Sequence, residues 1–266
     1  MLWDTHLHTH FSADSKASPK DMVEGCIKKG LTGICFTDHM DLDYRENPGI
    51  FDLDVERYQK VLLTLQEEYS SLIPIHFGIE IGLQPHIVEE NNKIATNYPF
   101  DFIIGSTHVV DHIDIYYPDF YKGRKEDDCY RQYFEETLTN IQSDAIFDVY
   151  GHLDYVIRYG ENKNKYYSYE KFADIIDEIL RTLIEKGKGI ELNTAGFKYG
   201  LGHAHPTLDT LKRYKELGGE IITIGSDAHA PDQVAWSFDK VPTILKDAGF
   251  EYYTVFKERK PKFIKL

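Results

Sequence analysis

Cysteine is scarce. The 266-residue chain has three, Cys26, Cys35 and Cys129, an odd number without the paired spacing of a thiolate metal site. That argues against a disulfide framework, and free thiols fit a reducing compartment. Cys26 and Cys35 fall inside apolar patterns and are expected in the core. Long hydrophobic runs are also missing, since none approaches the roughly 18 apolar residues that span a bilayer. The opening MLWDTHLHTH lacks the basic and then apolar regions of a signal peptide. Cytoplasmic residence and no membrane partner are expected. Positive charge is in deficit: 30 Lys and Arg against 44 Asp and Glu leave a net charge of −14. Such a balance argues against non-specific nucleic-acid binding, which depends on cations neutralising phosphates. It leaves room for a small phosphorylated substrate, because bound metal ions reverse the field locally. No G-x-G-x-x-G follows the first strand-like segment, which removes the usual dinucleotide fingerprint. No linker, repeat or low-complexity tract divides the chain, and one domain over residues 1–266 is expected.

What is present is an alternation of apolar strand-like runs with helix-period segments. MLWDTH, LTGICFTDH, IPIHFGIEIG, PFDFIIGSTH, AIFDVYGHLD, GIELNTAG and EIITIGSDAH read as seven strands. The intervening helices are expected from Ser18 (N-cap, with Pro19 in the first turn) to before Gly30, and over about 54–71, 130–142, 169–186 and 207–217. In the second of these, Val55, Leu62, Leu65, Tyr69 and Leu72 lie close to helical spacing. Residues 110–129 form an aromatic and charged excursion near the strand ends, and the tail with YYTVF is expected to pack beneath the strands. Strand–helix alternation calls for parallel strands with helical crossovers. The expected α/β architecture is a TIM-like (β/α)7 barrel, with the doubly wound open sheet as the alternative.

Polar residues gather at the carboxyl ends of these strands. His6 and His8 end the first, His39 the second, Glu80 the third, His108 the fourth, His152 the fifth, and Asp227 with His229 the seventh. A parallel barrel opens all these ends on one face, where active-site groups collect. Any single histidine there has an ordinary structural explanation. Eight His, Asp and Glu residues at six strand ends do not, because buried carboxylates demand partners and metal ions satisfy all of them together. His10 follows the first strand end. His76, His86 and His112 are expected to be structural or part of the excursion. His203 and His205, in GLGHAHP, are loop residues that would touch substrate if the loop closes over the site.

HLH at 6–8, TDH at 37–39, GIE at 78–80, STH at 106–108, GHLD at 151–154 and SDAH at 226–229 together resemble the PHP (polymerase and histidinol phosphatase) superfamily. The length and the GHLDYVIRYG and IELNTAG segments are similar to its stand-alone histidinol-phosphate phosphatases. The resemblance implies a distorted seven-stranded (β/α) barrel and a trinuclear metal centre. Position by position, it implies His6, His8, Glu80 and Asp227 around one ion, and Glu80, His108 and His152 around a second. A third would take His39, His229 and Asp14, where many relatives have histidine in place of Asp14. It also implies hydrolysis of L-histidinol phosphate in histidine biosynthesis.

The residue types agree with that chemistry. Six imidazoles and three carboxylates without thiolates suit Zn²⁺, Mn²⁺ or Fe²⁺. Three such ions would leave the pocket cationic despite the overall charge. Divalent ions lower the pKa of water from about 15.7 toward 7, so no Ser or Cys nucleophile is required. Arg158 is a candidate bidentate phosphate clamp, with a surface helix position as the other reading. The leaving group's proton is expected from His10, a loop histidine or water. The excursion and the stretch DLDYRENPGIFD at 41–52 are the candidate subsite for an ammonium and an imidazole. Two rivals remain: a PHP-type phosphodiesterase or 3′–5′ exonuclease, and a non-catalytic metal-binding barrel. Oligomeric state has no signature in the sequence.

Overall fold

The computed structural model describes residues 2–266. The barrel strands are β1 (Trp3–Leu7), β2 (Gly33–Phe36), β3 (Ile75–Gly82), β4 (Phe102–Ser106), β5 (Val149–Tyr150), β6 (Gly189–Asn193) and β7 (Ile222–Gly225). They pair in that order and all in parallel. Between β7 and β1 no full ladder forms, yet the two strands meet at their carboxyl ends through a Leu7–Ala228 bridge. There the Asp227 N–H donates to the His6 carbonyl and the His8 N–H to the Ala228 carbonyl, each at 2.9 Å. That meeting excludes the open doubly wound sheet. The protein is a nearly closed, distorted (β/α)7 barrel, drawn together on the face where the His and Asp motifs lie. His39–Met40 extends the wall by pairing with Glu80–Ile81 of β3.

Outside the wall run α1 (Pro19–Lys28), α2 (Val55–Glu68), α3 (Val88–Asn97), α4 (Glu126–Gln142), α5 (Ala173–Glu185), α6 (Ala195–Lys198), α7 (Leu208–Glu216) and α8 (Val241–Asp247). α1 begins as its sequence dictates: the Ser18 side chain accepts from the Asp21 N–H and Pro19 opens the first turn. α2 is shorter than its periodicity suggests. It ends at Glu68, the Leu72 N–H folds back to the Tyr69 carbonyl (2.9 Å), and Leu72 is 66% exposed instead of facing the core. α4 starts four residues before the expected Tyr130, because Glu126, Asp127 and Asp128 fill a first turn where the helix dipole favours anions.

All eight residues of β3 are buried, as a parallel strand covered on both faces requires. The tail forms a hairpin of β8 (Tyr252–Lys257) and β9 (Lys260–Lys265). Phe256 stacks on Phe102 at the start of β4 (5.2 Å between centroids), which plugs the barrel's amino-terminal end. Cys26, Cys35 and Cys129 are free thiols and buried. No helix among the described residues is long and apolar enough to cross a membrane.

Candidate metal centre

Glu80, at the sixth position of β3, is fully buried and lies at the centre of the carboxyl-end face. Its two oxygens face different partners. Oε2 lies 3.1 Å from His6 Nε2, 3.5 Å from His8 Nε2 and 3.0 Å from His39 Nδ1. Oε1 lies 3.0 Å from His152 Nε2 and 3.4 Å from His108 Nε2, and accepts the Ser106 hydroxyl at 2.7 Å. Asp227 Oδ1 reaches the first group, 4.0 Å from His6 Nε2 and 3.5 Å from His8 Nε2. On the rim, Asp14 Oδ2 is 3.1 Å from His229 Nε2 and 3.7 Å from His39 Nε2. The donor atoms of His6, His8 and Glu80 lie within 4.8 Å of one another, as do those of Glu80, His108 and His152, and of His8, His39 and His229. Segments remote in sequence thus bring nine candidate ligands together, and His8 and Glu80 each belong to two groups.

The outer nitrogens explain how these rings are aimed. His6 Nδ1 is 2.7 Å from Glu191 Oε1, and His108 Nδ1 is 2.7 Å from Asp41 Oδ1. His229 Nδ1 faces the Asp227 carbonyl at 3.1 Å, and His8 Nδ1 the Ser12 hydroxyl at 3.2 Å. A carboxylate or carbonyl that accepts from Nδ1–H keeps the proton on that nitrogen and leaves Nε2 with a lone pair toward the centre, as in metal-ligating histidines. Asp227 itself has φ of +53°, a left-handed conformation uncommon outside glycine. Its N–H to His6 and the Lys198 ammonium on its carbonyl (3.1 Å) hold it there.

These atoms are close but not mutually satisfied. His6 Nε2, His8 Nε2, His39 Nδ1 and Glu80 Oε2 are buried without a hydrogen-bond partner, although 3.0–3.5 Å separates each nitrogen from that oxygen. Distance is present and alignment is absent, as expected when donors point at a shared central position. Charge tells the same story. Burial lowers the pKa of His8 and His152. At His6 and His108 burial acts the same way, but Glu191 and Glu80, and Asp41 and Glu80, more than offset it. His39 is pushed up to about 9 against burial by Glu80 and Asp14. Burial opposes the charges of Glu80 and Asp227 as well, yet the histidines hold both carboxyls well below the usual range. The centre demands positive charge. An oxygen- and imidazole-binding divalent ion fits the residues present.

Above the centre opens a cavity of about 490 Å³. Asp14, His39, His108, His152, Asp227 and His229 form its floor, and Tyr44, Asn47, Phe51, Asp114, Tyr116 and Arg158 contribute to its walls. The stretches 41–52 and 110–129 both reach it, joined by the Tyr44 hydroxyl donating to Asp114 Oδ2 at 2.6 Å. Arg158 is 5% exposed, not a surface helix residue. Its Nη2 donates to Asp227 Oδ2 at 3.1 Å, and its guanidinium lies between the rings of Tyr155 and Tyr199 at 4.7 and 4.5 Å. Burial opposes its charge, but Asp227 and the tyrosines keep it a guanidinium.

Three sequence expectations need correction. His10 is exposed and stacked on Phe11, and does not line the cavity. β1 ends at Leu7, and Asp38 accepts the Thr9 and Ser12 N–H groups (2.7 and 3.1 Å), so the chain turns before alternation can bring His10 inward. His203 also misses the cavity, its Nδ1 turned to the Ala204 carbonyl at 2.8 Å. His205 is buried behind Arg158 and does not reach the lining. Its Nδ1–H donates to Asp154 and its Nε2 accepts the Arg158 Nε–H at 3.0 Å, which requires a neutral ring. Burial lowers its pKa to about 4, in agreement. His205 positions the arginine.

Glu191, Asp41, Asp38 and Asp154 escaped the sequence reading. Each is a buried carboxylate in or next to a motif strand, and that alone was a usable signal. Glycine makes room for two of them. A Cβ on Gly225 would lie 2.1 Å from Glu191 Oε1, and one on Gly82 would lie 2.0 Å from Asp41 Oδ1. Gly82→Ala is expected to push Asp41 off His108 and lower kcat/KM by about 10- to 100-fold, the usual cost of losing a ligand's outer partner. Phosphate-release kinetics beside a thermal melt check this. An unchanged rate would show that Asp41 does not aim His108.

Comparison with known proteins agrees with this geometry. The PHP domain family matches residues 4–195. A histidinol-phosphatase of Lactococcus lactis is 36% identical, over 97% of this chain and 95% of its own length. A probable histidinol-phosphatase of Clostridium acetobutylicum is 34% identical, over 98% of each chain. The crystal structure of a histidinol phosphate phosphatase from Lactococcus lactis, complexed with zinc, L-histidinol and phosphate, superposes with a TM-score of 0.90 at 34% identity, covering 98% of this chain and all of that one. With the barrel, the strand-end motifs and full-length relatives in agreement, the chain belongs to the PHP domain family.

Proposed function

We propose that this protein is a metal-dependent phosphomonoester hydrolase that converts L-histidinol phosphate to L-histidinol and phosphate in histidine biosynthesis. The carrying observation is the convergence of six imidazoles and three carboxylates beneath a cavity walled by Arg158, and the full-length relatives that bear the histidinol-phosphatase name support the substrate. Three divalent ions, Zn²⁺, Mn²⁺ or Fe²⁺, would be held by His6, His8, Glu80 and Asp227; by Glu80, His108 and His152; and by Asp14, His39 and His229. Such ions supply Lewis-acid stabilisation of phosphate charge and activate water near neutral pH. Cytoplasmic placement belongs to the same reading, supported by three buried free thiols.

The chain's own residues bind and orient. Arg158 is pinned by His205 and Asp227 and flattened between two tyrosine rings, so its plane is preset before substrate arrives. A guanidinium held this way presents its outward N–H groups to phosphate oxygens at little entropic cost. Asp114, with Tyr44 and Phe51 beside it, offers an anionic and aromatic wall to the ammonium and imidazole of histidinol. Water adds to phosphorus and gives up a proton, the bond from phosphorus to the alcohol oxygen breaks, and the alkoxide takes up one proton, so that alcohol and hydrogen phosphate result. No cysteine lines the cavity, and no covalent enzyme intermediate is needed.

A phosphate-release panel on zinc-loaded protein tests the reading. Histidinol phosphate should be turned over with the highest kcat/KM among phosphomonoesters. Preference for another monoester, or nucleotide release from single-stranded DNA, would overturn the substrate assignment.

A further inference from the structure

Asp43, His86 and His112 form a second His/carboxylate group that shares no residue with the centre described above and does not line its cavity. The three come from three different excursions at the carboxyl-end rim. Asp43 lies in the loop after His39–Met40, His86 in the 3₁₀ turn Pro85–Ile87 ahead of α3, and His112 in the turn between Val109–Val110 and Ile113–Asp114. His86 Nε2 is 2.7 Å from Asp43 Oδ2, and His112 Nδ1 is 3.8 Å from the same oxygen. The two rings stand 4.8 Å apart at 62°, and one donor atom from each residue falls within 4.8 Å of the others.

An ordinary surface ion pair accounts for His86 on Asp43. It does not account for His112. The Nδ1 of His112 is buried without a hydrogen-bond partner, although the ring's side chain as a whole is 33% exposed. Nor does it account for the backbone: Asp43 and His112 have φ of +53° and +66°, and Asp111 beside them +48°. Left-handed conformations at three non-glycine residues carry a cost. Here they bring two ligand side chains onto a third.

We propose that Asp43, His86 and His112 form a peripheral site for a zinc-class divalent transition-metal ion, completed by water. Two imidazoles and one carboxylate are a recurrent zinc set that leaves a coordination position open. Imidazole also favours such ions over Mg²⁺ or Ca²⁺. Occupied, the site joins the loop that carries Tyr44 and Phe51 to the turn that carries Asp114, so it clips together two walls of the cavity from outside. Asp43 is the shared ligand. Arg45 Nε, 3.8 Å from its Oδ2, is the competing cation that the metal must displace or tolerate.

The test counts metal and is independent of the substrate assignment. Wild type, His86→Gln and His112→Asn are dialysed to equilibrium against buffered zinc, and bound zinc is measured per chain. Asparagine tolerates the left-handed backbone and removes the imidazole. The expected result is one zinc fewer per chain in each variant, with a zinc-dependent rise in Tm in a Glu80→Gln background that becomes smaller when His86→Gln is added. Equal zinc counts in wild type and both variants at every free concentration would overturn the proposal, as would a Glu80→Gln melt that zinc shifts equally with and without His86.

Discussion

Glu80→Gln should cut kcat/KM by about 10³-fold, a loss of roughly 4 kcal/mol of transition-state stabilisation. The substitution keeps the side chain's size. It also leaves an oxygen able to accept the Ser106 hydroxyl, now 2.7 Å from Oε1. What it removes is the charge, and with it one of the two oxygens that face separate imidazole sets. Oε2 serves His6, His8 and His39, and Oε1 serves His108 and His152. An amide NH₂ in either place points a donor into a site that needs an acceptor. Because β3 is buried on both faces by apolar neighbours, the fold should persist while bound metal drops by at least one ion per chain. Kinetics, elemental analysis and a melt on the same sample separate these effects. Near-normal turnover with full metal content would remove Glu80 from the bridging position.

Stripping metal should abolish turnover and also soften the fold. In the stripped protein, His6 Nε2, His8 Nε2, His39 Nδ1 and Glu80 Oε2 are buried donors and acceptors with nothing aligned to them. Each such group costs about 1–3 kcal/mol. From the binding side, an ion held at about a thousand times its Kd contributes about 4 kcal/mol to stability. In a chain of this size that corresponds to roughly 10 °C in Tm. Exhaustive dialysis against a chelator should therefore lower Tm by that order, and added Zn²⁺ or Mn²⁺ should restore both Tm and activity. A chelated protein that keeps its rate would end the metal-dependent mechanism. One that loses its rate without any shift in Tm would mean that the buried imidazoles find other partners.

A good part of this molecule is legible in its residues alone. Seven strand-like runs, six of them closed by a His, Asp or Glu motif, pointed to both the barrel and the face that carries the chemistry. His6, His8, His39, Glu80, His108, His152, Asp227 and His229 were visible because ionisable groups at the ends of apolar strands are rare without a reason. The stretches 41–52 and 110–129 stood out by composition, and both reach the cavity.

Other features depend on which strands become neighbours. The partner of His6 Nδ1 is Glu191, 185 positions away, and that of His108 Nδ1 is Asp41, 67 positions away. Periodicity shows which face a residue takes, but not which side chain from another strand will stand against it. His10 follows the alternation of HLHTH, yet Asp38 turns the backbone first and sends it to solvent. His205 looked like a loop residue open to substrate, whereas folding places it behind Arg158 as that residue's hydrogen-bond acceptor. Local sequence marked most of the elements and the candidate ligand types, since propensity and polarity act over a few residues. Tertiary structure alone decided orientation, outer partners and exposure, because these are set by contacts between segments that meet only when the barrel closes.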